Sequence, residues 1–306
     1  MKKLSLWLIT LFFISGLVNF NVAQENRVNP KIWSQSYWQQ MAEKGLVELA
    51  KPGQLPAAEY SGSQIRAITV DTDDSPDVPV TTNPNTTQSE NSIFVNPLNN
   101  DKVLNSNNST DNPVSTVFGT SAFMTTDGGQ TWAGQIQGTG GPNSGDPAAV
   151  ISLNGRYYVG YIADNLGQGV AHSTDEGNTW THVQVAPNPG SIADKNHLWI
   201  DNSPTSPHEG NLYSAWTDFG GANNEEIVIS RSTDNGLTWS TLQNISAAVN
   251  AGSHNQGVNI STGPNGEVYV AWAIYDSFPA DETAIGFTVS TDGGQTFAPA
   301  QRIITN

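Results

Sequence analysis

The sequence predicts an all-β fold of repeated four-stranded antiparallel blades, as in a β-propeller. An octapeptide of the form Ser/Thr-Thr-Asp-x-Gly-x-Thr-Trp/Phe, called here the box, occurs four times, at residues 125–132, 173–180, 232–239 and 290–297. Successive box aspartates are 48, 59 and 58 residues apart, which suits one four-stranded blade per repeat. Short alternating apolar runs bounded by turn signals precede the boxes, as expected for β-hairpins.

The composition excludes several classes of protein. The 306 residues include 12 Lys and Arg against 28 Asp and Glu, a net charge of −16. Nucleic-acid binding and docking on anionic lipid both need clustered cations, so we predict neither partner. Nine Trp, eight Tyr and ten Phe supply apolar surface for a packed core. Without cysteine, the chain has no disulfide, thiolate metal site or cysteine nucleophile.

The first residues resemble a signal peptide. Lys2 and Lys3 precede an apolar run that extends from Leu4 to Val18. This run is shorter than the roughly 20 apolar residues that cross a bilayer, so we predict cleavage after Ala23 rather than a membrane anchor. Residues 1–23 are therefore interpreted as a signal peptide, and the mature protein is expected to be secreted or at the cell surface.

Residues 24–87 form a separate N-terminal segment. Apolar spacing predicts a short helix over residues 36–50, and residues 64–70 are a candidate strand that closes the blades. Residues 71–77 carry acidic side chains that calcium could use. Pro76 and the lack of a correctly spaced Glu break the EF-hand pattern, so we predict a solvated linker and no cofactor.

The box sequence is explained by a tight turn. The Asp side chain accepts hydrogen bonds from its own turn, the Gly two residues later adopts a conformation barred to other residues, and the final aromatic returns to the core. We therefore assign these residues structural roles rather than metal-binding or catalytic ones. They are Asp127 and Trp132, Asp175 and Trp180, Asp234 and Trp239, and Asp292 and Phe297.

The repeats resemble the Asp-box, or BNR, repeat of the sialidase superfamily of β-propellers over residues 88–306. The resemblance implies an exported bacterial sialidase-like protein with six blades. Four boxes account for four units, so we expect the chain to be truncated at its C-terminal end. The motif specifies the hairpin rather than the chemistry, because it also occurs in xyloglucan-cleaving glycosidases, sorting receptors and non-catalytic secreted propellers.

The candidate site lies at the end of the blades opposite the boxes, where propeller enzymes of this kind bind substrate. Polar residues recur there at the start of each inner strand and in the loops between the second and third strands. Capping of strand ends in solvent is the alternative for each of them. Paired carboxylates suit glycoside hydrolysis, so the candidate catalytic residues are Asp146, Asp194 and Glu90. The candidate substrate-binding residues are Lys195, His197, His254, Trp216, Asp218 and Tyr275.

Some of these candidates have a second interpretation. Lys195 holds a substrate carboxylate or neutralises Asp194, and we favour the ion pair. Trp216 and Tyr275 stack on a sugar or are buried aromatics. Five His without His-x-x-x-His spacing predict no metal site.

The resemblance also implies three substrate-binding arginines, one in an Arg-Ile-Pro motif, and a Tyr/Glu nucleophile with an Asp acid/base. Arg-Ile-Pro does not occur, and no arginine is assigned a sialidase role. Two hypotheses follow. The first is an exo-α-sialidase-like glycoside hydrolase. The second is a non-catalytic propeller that binds a glycan or glycoprotein.

Overall fold

The computed structural model describes residues 44–45, 78–82, 86–111, 116–137, 143–250 and 252–305. All but two of these residues belong to one compact unit, Thr72–Asn306. The predicted signal peptide, the strand at 64–70 and the linker at 71–77 lie outside the described residues. Within the predicted helix at 36–50, Lys44 and Gly45 form a turn. Gly45 has φ of 68°, which a right-handed helix excludes, so the helix prediction is wrong at this point.

The described residues form four antiparallel sheets, which confirms the prediction of an all-β fold with four-stranded blades. In blade 1 the strands are β1 Thr86–Val95, β2 Val103–Asp111, β3 Val117–Thr120, β4 Ala122–Thr125 and β5 Ala133–Gln135. In blade 2 they are β6 Asn143–Ile151, β7 Tyr157–Ala163, β8 Gln168–Ser173 and β9 Thr181–Ala186. In blade 3 they are β10 Ile192–Ile200, β11 Leu212–Phe219, β12 Glu226–Ser232 and β13 Gln243–Asn244. In blade 4 they are β14 His254–Thr262, β15 Val268–Tyr275, β16 Ala284–Ser290 and β17 Gln301–Thr305, preceded by the helix α1 Ala247–Asn250.

Blades 2, 3 and 4 are meanders whose strands pair in chain order. The first strands β1, β6, β10 and β14 contact one another from blade to blade and are the inner strands. Blade 1 departs from four strands because both β3 and β4 pair with β2. The boxes connect the last two strands of each blade, so the loops between the second and third strands lie at the opposite end.

Each box is a turn stabilised by its own side chains. In the second box, Thr179 donates its N–H to Asp175 Oδ1 over 2.8 Å and its hydroxyl to Oδ2 over 2.6 Å. The Ser173 hydroxyl accepts the Gly177 N–H over 2.9 Å. Equivalent bonds occur in the other three boxes. The aspartates are therefore used within their own turns.

The fifth residue of the box is a glycine, and in three of the boxes it packs against the preceding blade. We call this contact the box joint. A Cβ added to Gly236 would lie 3.3 Å from the Tyr158 ring, and one added to Gly294 would lie 2.7 Å from the Tyr213 ring. Gly177 approaches Met124 in the same way. A side chain at these positions would separate the blades, which explains why the closest approach uses glycine.

Three apolar clusters hold successive blades together. The box aromatics Trp180, Trp239 and Phe297 are half-buried at the edges of these clusters, so they cover the core rather than fill it. Trp132 is half-buried too but belongs to none of the three clusters. Burial of the strand side chains between blades therefore supplies most of the apolar packing.

Candidate functional site

The inner strands share one irregularity. Each strand carries a β-bulge, in which two of its residues oppose one residue of the next strand, between residues 89 and 92, 145 and 148, 194 and 197, and 256 and 259. One residue within each bulge has positive φ: Glu90 (52°), Asp146 (56°), Lys195 (52°) and Gly257 (74°). Positive φ is uncommon for residues with a Cβ, so three of these positions are strained in the same way.

The three charged residues of this set come together across blades 1, 2 and 3, and we call Glu90, Asp146 and Lys195 the charged centre. Lys195 Nζ lies 2.7 Å from Glu90 Oε2 and 4.0 Å from Asp146 Oδ2. The Lys195 backbone N–H also donates to Asp146 Oδ2 over 3.2 Å. The charged centre therefore exists only when three blades are assembled.

Asp146 is the most enclosed member of the charged centre. Its side chain is 12% exposed, against 41% for Glu90 and 43% for Lys195. Asn108 of β2 makes two hydrogen bonds to Asp146. Its Oδ1 accepts the Asp146 backbone N–H over 2.6 Å, and its amide N–H donates to Asp146 Oδ1 over 3.4 Å. The Asp146 carboxylate is thus held in one orientation.

The surroundings of the charged centre shift the pKa values of Glu90 and Lys195. Burial, together with the hydrogen bond and charge of Asp146, raises the pKa of Glu90 to about 7, and Lys195 opposes this shift. Burial disfavours the Lys195 ammonium, yet the surrounding carboxylates raise its pKa above the ordinary value. Near neutral pH, Glu90 can therefore hold or release a proton beside a fixed carboxylate.

Asp194 lies beside the charged centre. Burial raises the pKa of its carboxyl, and Gln256 Nε2 donates to its Oδ2 over 2.8 Å. The predicted ion pair between Lys195 and Asp194 is corrected: the Lys195 ammonium contacts Glu90. Lys195 lies in the bulge of β10 with left-handed backbone, and its ammonium reaches Glu90 of blade 1, a contact between blades that the spacing within one repeat does not show.

His197, Trp216 and Asp218 are structural in this fold. His197 Nδ1 accepts the Ile260 N–H over 3.1 Å, and burial lowers the pKa of its imidazole to about 4. Trp216 is fully buried, so it presents no ring face to a sugar, and its Nε1–H donates to the buried Asp218 over 2.7 Å. Trp216 thus packs in the cluster between blades 2 and 3, and the His197 bond joins blade 3 to blade 4.

His254 and Tyr275 belong to an aromatic group at the end of blade 4, which we call the aromatic wall, formed with Phe219 and Phe278. The His254 ring is buried and stacks on Phe278 with 4.3 Å between ring centroids. Tyr275 and Phe278 are half-buried. The Tyr275 hydroxyl donates to Glu282 Oε1 over 2.8 Å, and His254 Nε2 lies 2.9 Å from Gln256 Oε1. Gln256 thus connects the aromatic wall to Asp194.

Asn108, Gly257 and Phe278 were not among the predicted site residues. Gly257 occupies the bulge position that Glu90, Asp146 and Lys195 hold in the other blades. Aligning the sequences of the four repeats at this position would have identified it. Asn108 and Phe278 lie outside the repeated motifs, and no sequence signal connects them to the site.

The described residues contain no group of three or more His, Asp or Glu side chains placed to hold a metal ion. Among the helices that the structure describes, none has the length and apolar character needed to cross a bilayer.

Comparisons with known proteins support the fold. No family model matches the chain. A xyloglucanase of Acetivibrio thermocellus is 30% identical over 136 residues, which is 39% of this chain and 16% of that protein. A structure of a Dyadobacter fermentans protein of unknown function aligns with a TM-score of 0.53 at 16% identity, over 72% of this chain and 70% of that one.

Two intramolecular trans-sialidases align with a TM-score of 0.50. The enzyme from Ruminococcus gnavus is 12% identical over 71% of both chains. The leech enzyme is 11% identical over 71% of this chain and 51% of its own. The described strands therefore have a sialidase-like β-propeller fold.

Proposed function

We propose that this protein is a carbohydrate-active propeller that hydrolyses glycosidic bonds at the charged centre. The observation that carries the proposal is the pairing of Glu90, which can hold a proton near neutral pH, with the fixed carboxylate of Asp146. Two carboxyl groups in different electrostatic environments are what glycoside hydrolysis needs. The likeness to trans-sialidases and the partial match to a xyloglucanase agree with this class of substrate.

The reaction follows from these two roles. Glu90 donates its proton to the glycosidic oxygen as the bond from that oxygen to the anomeric carbon breaks. Asp146 stabilises the positive charge that develops on the sugar ring. Water then adds to the anomeric carbon and returns a proton to Glu90, which restores the starting state. Lys195 positions Glu90 and limits how far its pKa rises.

The narrower proposal, exo-α-sialidase activity, comes from the resemblance of the repeats. The arginines of the described ranges are all engaged elsewhere. Arg156 donates to Asn235 O and Arg231 to Gly293 O, both within boxes, while Arg302 pairs with Asp276. This placement favours a second candidate function, in which the propeller binds a glycan or glycoprotein without hydrolysing it. Under either function, we propose export through residues 1–23 and a location outside the cell.

The test is hydrolysis of a broad panel of fluorogenic glycosides, including a sialoside, by the purified protein and by Asp146→Asn. We expect turnover of at least one substrate and a loss of at least about 100-fold in kcat/KM in the variant, at unchanged thermal stability. A folded wild-type protein that turns over no substrate but binds a glycan saturably would establish the non-catalytic function. Equal turnover by the variant would show that the charged centre is not the active site.

A further inference from the structure

The fourth bulge position differs from the other three. Glu90, Asp146 and Lys195 fill their positions with charged side chains, whereas Gly257 carries none. A Cβ at Gly257 would have no heavy atom within 4 Å, and the residue is exposed. By contrast, a Cβ at Gly145, beside Asp146, would lie 2.3 Å from Asn108 Oδ1. The inner strand of blade 4 thus leaves open space at the register position where its counterparts carry charged side chains.

Asp194 and the charged centre disfavour an anionic ligand. Gln256, next to Gly257, donates to Asp194 Oδ2 over 2.8 Å, and Asp194 interacts with the charged centre. Glu90, Asp146 and Asp194 contribute carboxyl groups, and the Lys195 ammonium is already in contact with the first two. A sugar carboxylate would have to displace Glu90 from Lys195 and would then face the remaining carboxylates. Like charges at such short range repel strongly in a partly buried site.

The strand that carries Gly257 also begins at the aromatic wall. His254, three residues earlier, stacks on Phe278, and Tyr275 lies opposite it on β15. Half-buried aromatic rings together with a few polar groups are typical of small-ligand sites, and the apolar face of a neutral sugar ring packs on such rings.

We propose that the space in front of Gly257 is a subsite for an uncharged sugar residue, so that the protein recognises neutral glycans rather than glycans ending in sialic acid or a uronate. This inference rests on the proposed function for the location of the site, but it concerns binding and does not require turnover.

Titration calorimetry with defined probes tests the preference. The neutral probes are cellotetraose, xylotetraose, arabinotetraose and lactose, and the acidic probes are 3′-sialyllactose and tetragalacturonate. We expect the tightest binding to a neutral probe, and binding of 3′-sialyllactose no tighter than that of lactose. Tightest binding to an acidic probe, or binding of none of the panel, overturns the proposal.

A variant pair tests the location. Asn tolerates left-handed backbone, so Gly257→Asn fills the space with little strain. Gly155→Asn is the matched control, because Gly155 has φ of 80°, no heavy atom within 4 Å of a Cβ, and lies in the β6–β7 turn at the box end. We expect Kd for the best neutral probe to rise at least about tenfold in Gly257→Asn alone, with equal melting temperatures. An unchanged Kd would overturn the subsite. If binding follows the proposal but no glycoside is hydrolysed, the proposed hydrolysis fails and the subsite stands.

Discussion

Carboxylates at the two ends of the blades have opposite electrostatics. At the box end, hydrogen bonds from Thr131 and Thr125 lower the pKa of Asp127 to about 2, and bonds from Thr179 and Ser173 lower that of Asp175 to about 2. At the charged centre, burial raises the pKa of Glu90 to about 7. The same chemical group is therefore ionised down to about pH 2 in one place and able to exchange a proton near neutral pH in the other.

The difference lies in where the partners come from. A box aspartate is satisfied by residues within four positions of it in sequence, so its role is complete inside one turn. Glu90 meets Lys195, which is 105 residues away and two blades further on. Because its partners come from other blades, the Glu90 carboxyl group is only partly desolvated and only partly neutralised. This leaves it reactive toward a ligand.

Replacing Glu90 gives the largest expected effect. Glu90→Gln removes the exchangeable proton while keeping the shape, so we expect kcat/KM on the best substrate to fall by about 1000-fold. The matched variant Asp175→Asn changes a carboxylate to an amide at the box end, and its kcat/KM should stay within about twofold of the wild type because it is remote from the charged centre. Similar losses in the two variants would abolish the distinction between the ends.

The stability of the fold, unlike activity, should depend on residues at the box end. Tyr213 is fully buried against the box of blade 4, so Tyr213→Ala should lower the free energy of unfolding by about 3 kcal/mol. Tyr269 holds the same register position in blade 4 but is 39% exposed, and Tyr269→Ala should cost about 1 kcal/mol or less. Urea denaturation measures both. Equal losses would contradict the role of the box joint.

The box glycine gives a smaller effect. Gly236→Ala places a Cβ at φ of 81° and 3.3 Å from the Tyr158 ring, so we expect a cost of about 1–2 kcal/mol. Gly155→Ala has nearly the same φ in open space and should cost about 1 kcal/mol. Thermal and urea unfolding would distinguish them, and a lower cost for Gly236→Ala would argue against close packing at the joint.

The smallest expected effect is a shift in the pH dependence of activity. If Glu90 is the general acid, activity falls as pH rises through its pKa of about 7. Lys195 lowers that pKa, so Lys195→Met should move the falling limb of the pH profile to higher pH, by up to about one unit. Lys102, which pairs with Glu176 at the box end, supplies the control Lys102→Met with an unmoved limb. A shift to lower pH in Lys195→Met would contradict the assignment.

Local features were predictable from the sequence. The box repeats, their turn chemistry and the four-stranded blades follow from residues close together in the chain. Glu90 and Asp146 recur near the starts of inner strands, and their role in catalysis stays a prediction. The predicted Asp194–Lys195 ion pair is wrong because the partner of Lys195 is Glu90, 105 residues away in another blade, and adjacent strand residues point to opposite faces. For Trp216 both sugar stacking and burial were open, because sequence position does not show which face of a blade is covered by the next one, and the ring is buried.

The most direct test of the central comparison is a pH titration of the side-chain carboxyl groups by carbon-13 NMR. We predict that Glu90 titrates near pH 7, well above an ordinary glutamate, while Asp127 and Asp175 remain ionised down to about pH 2. Titration of Glu90 at or below about pH 4.5, alongside ordinary values for the box aspartates, would contradict the account.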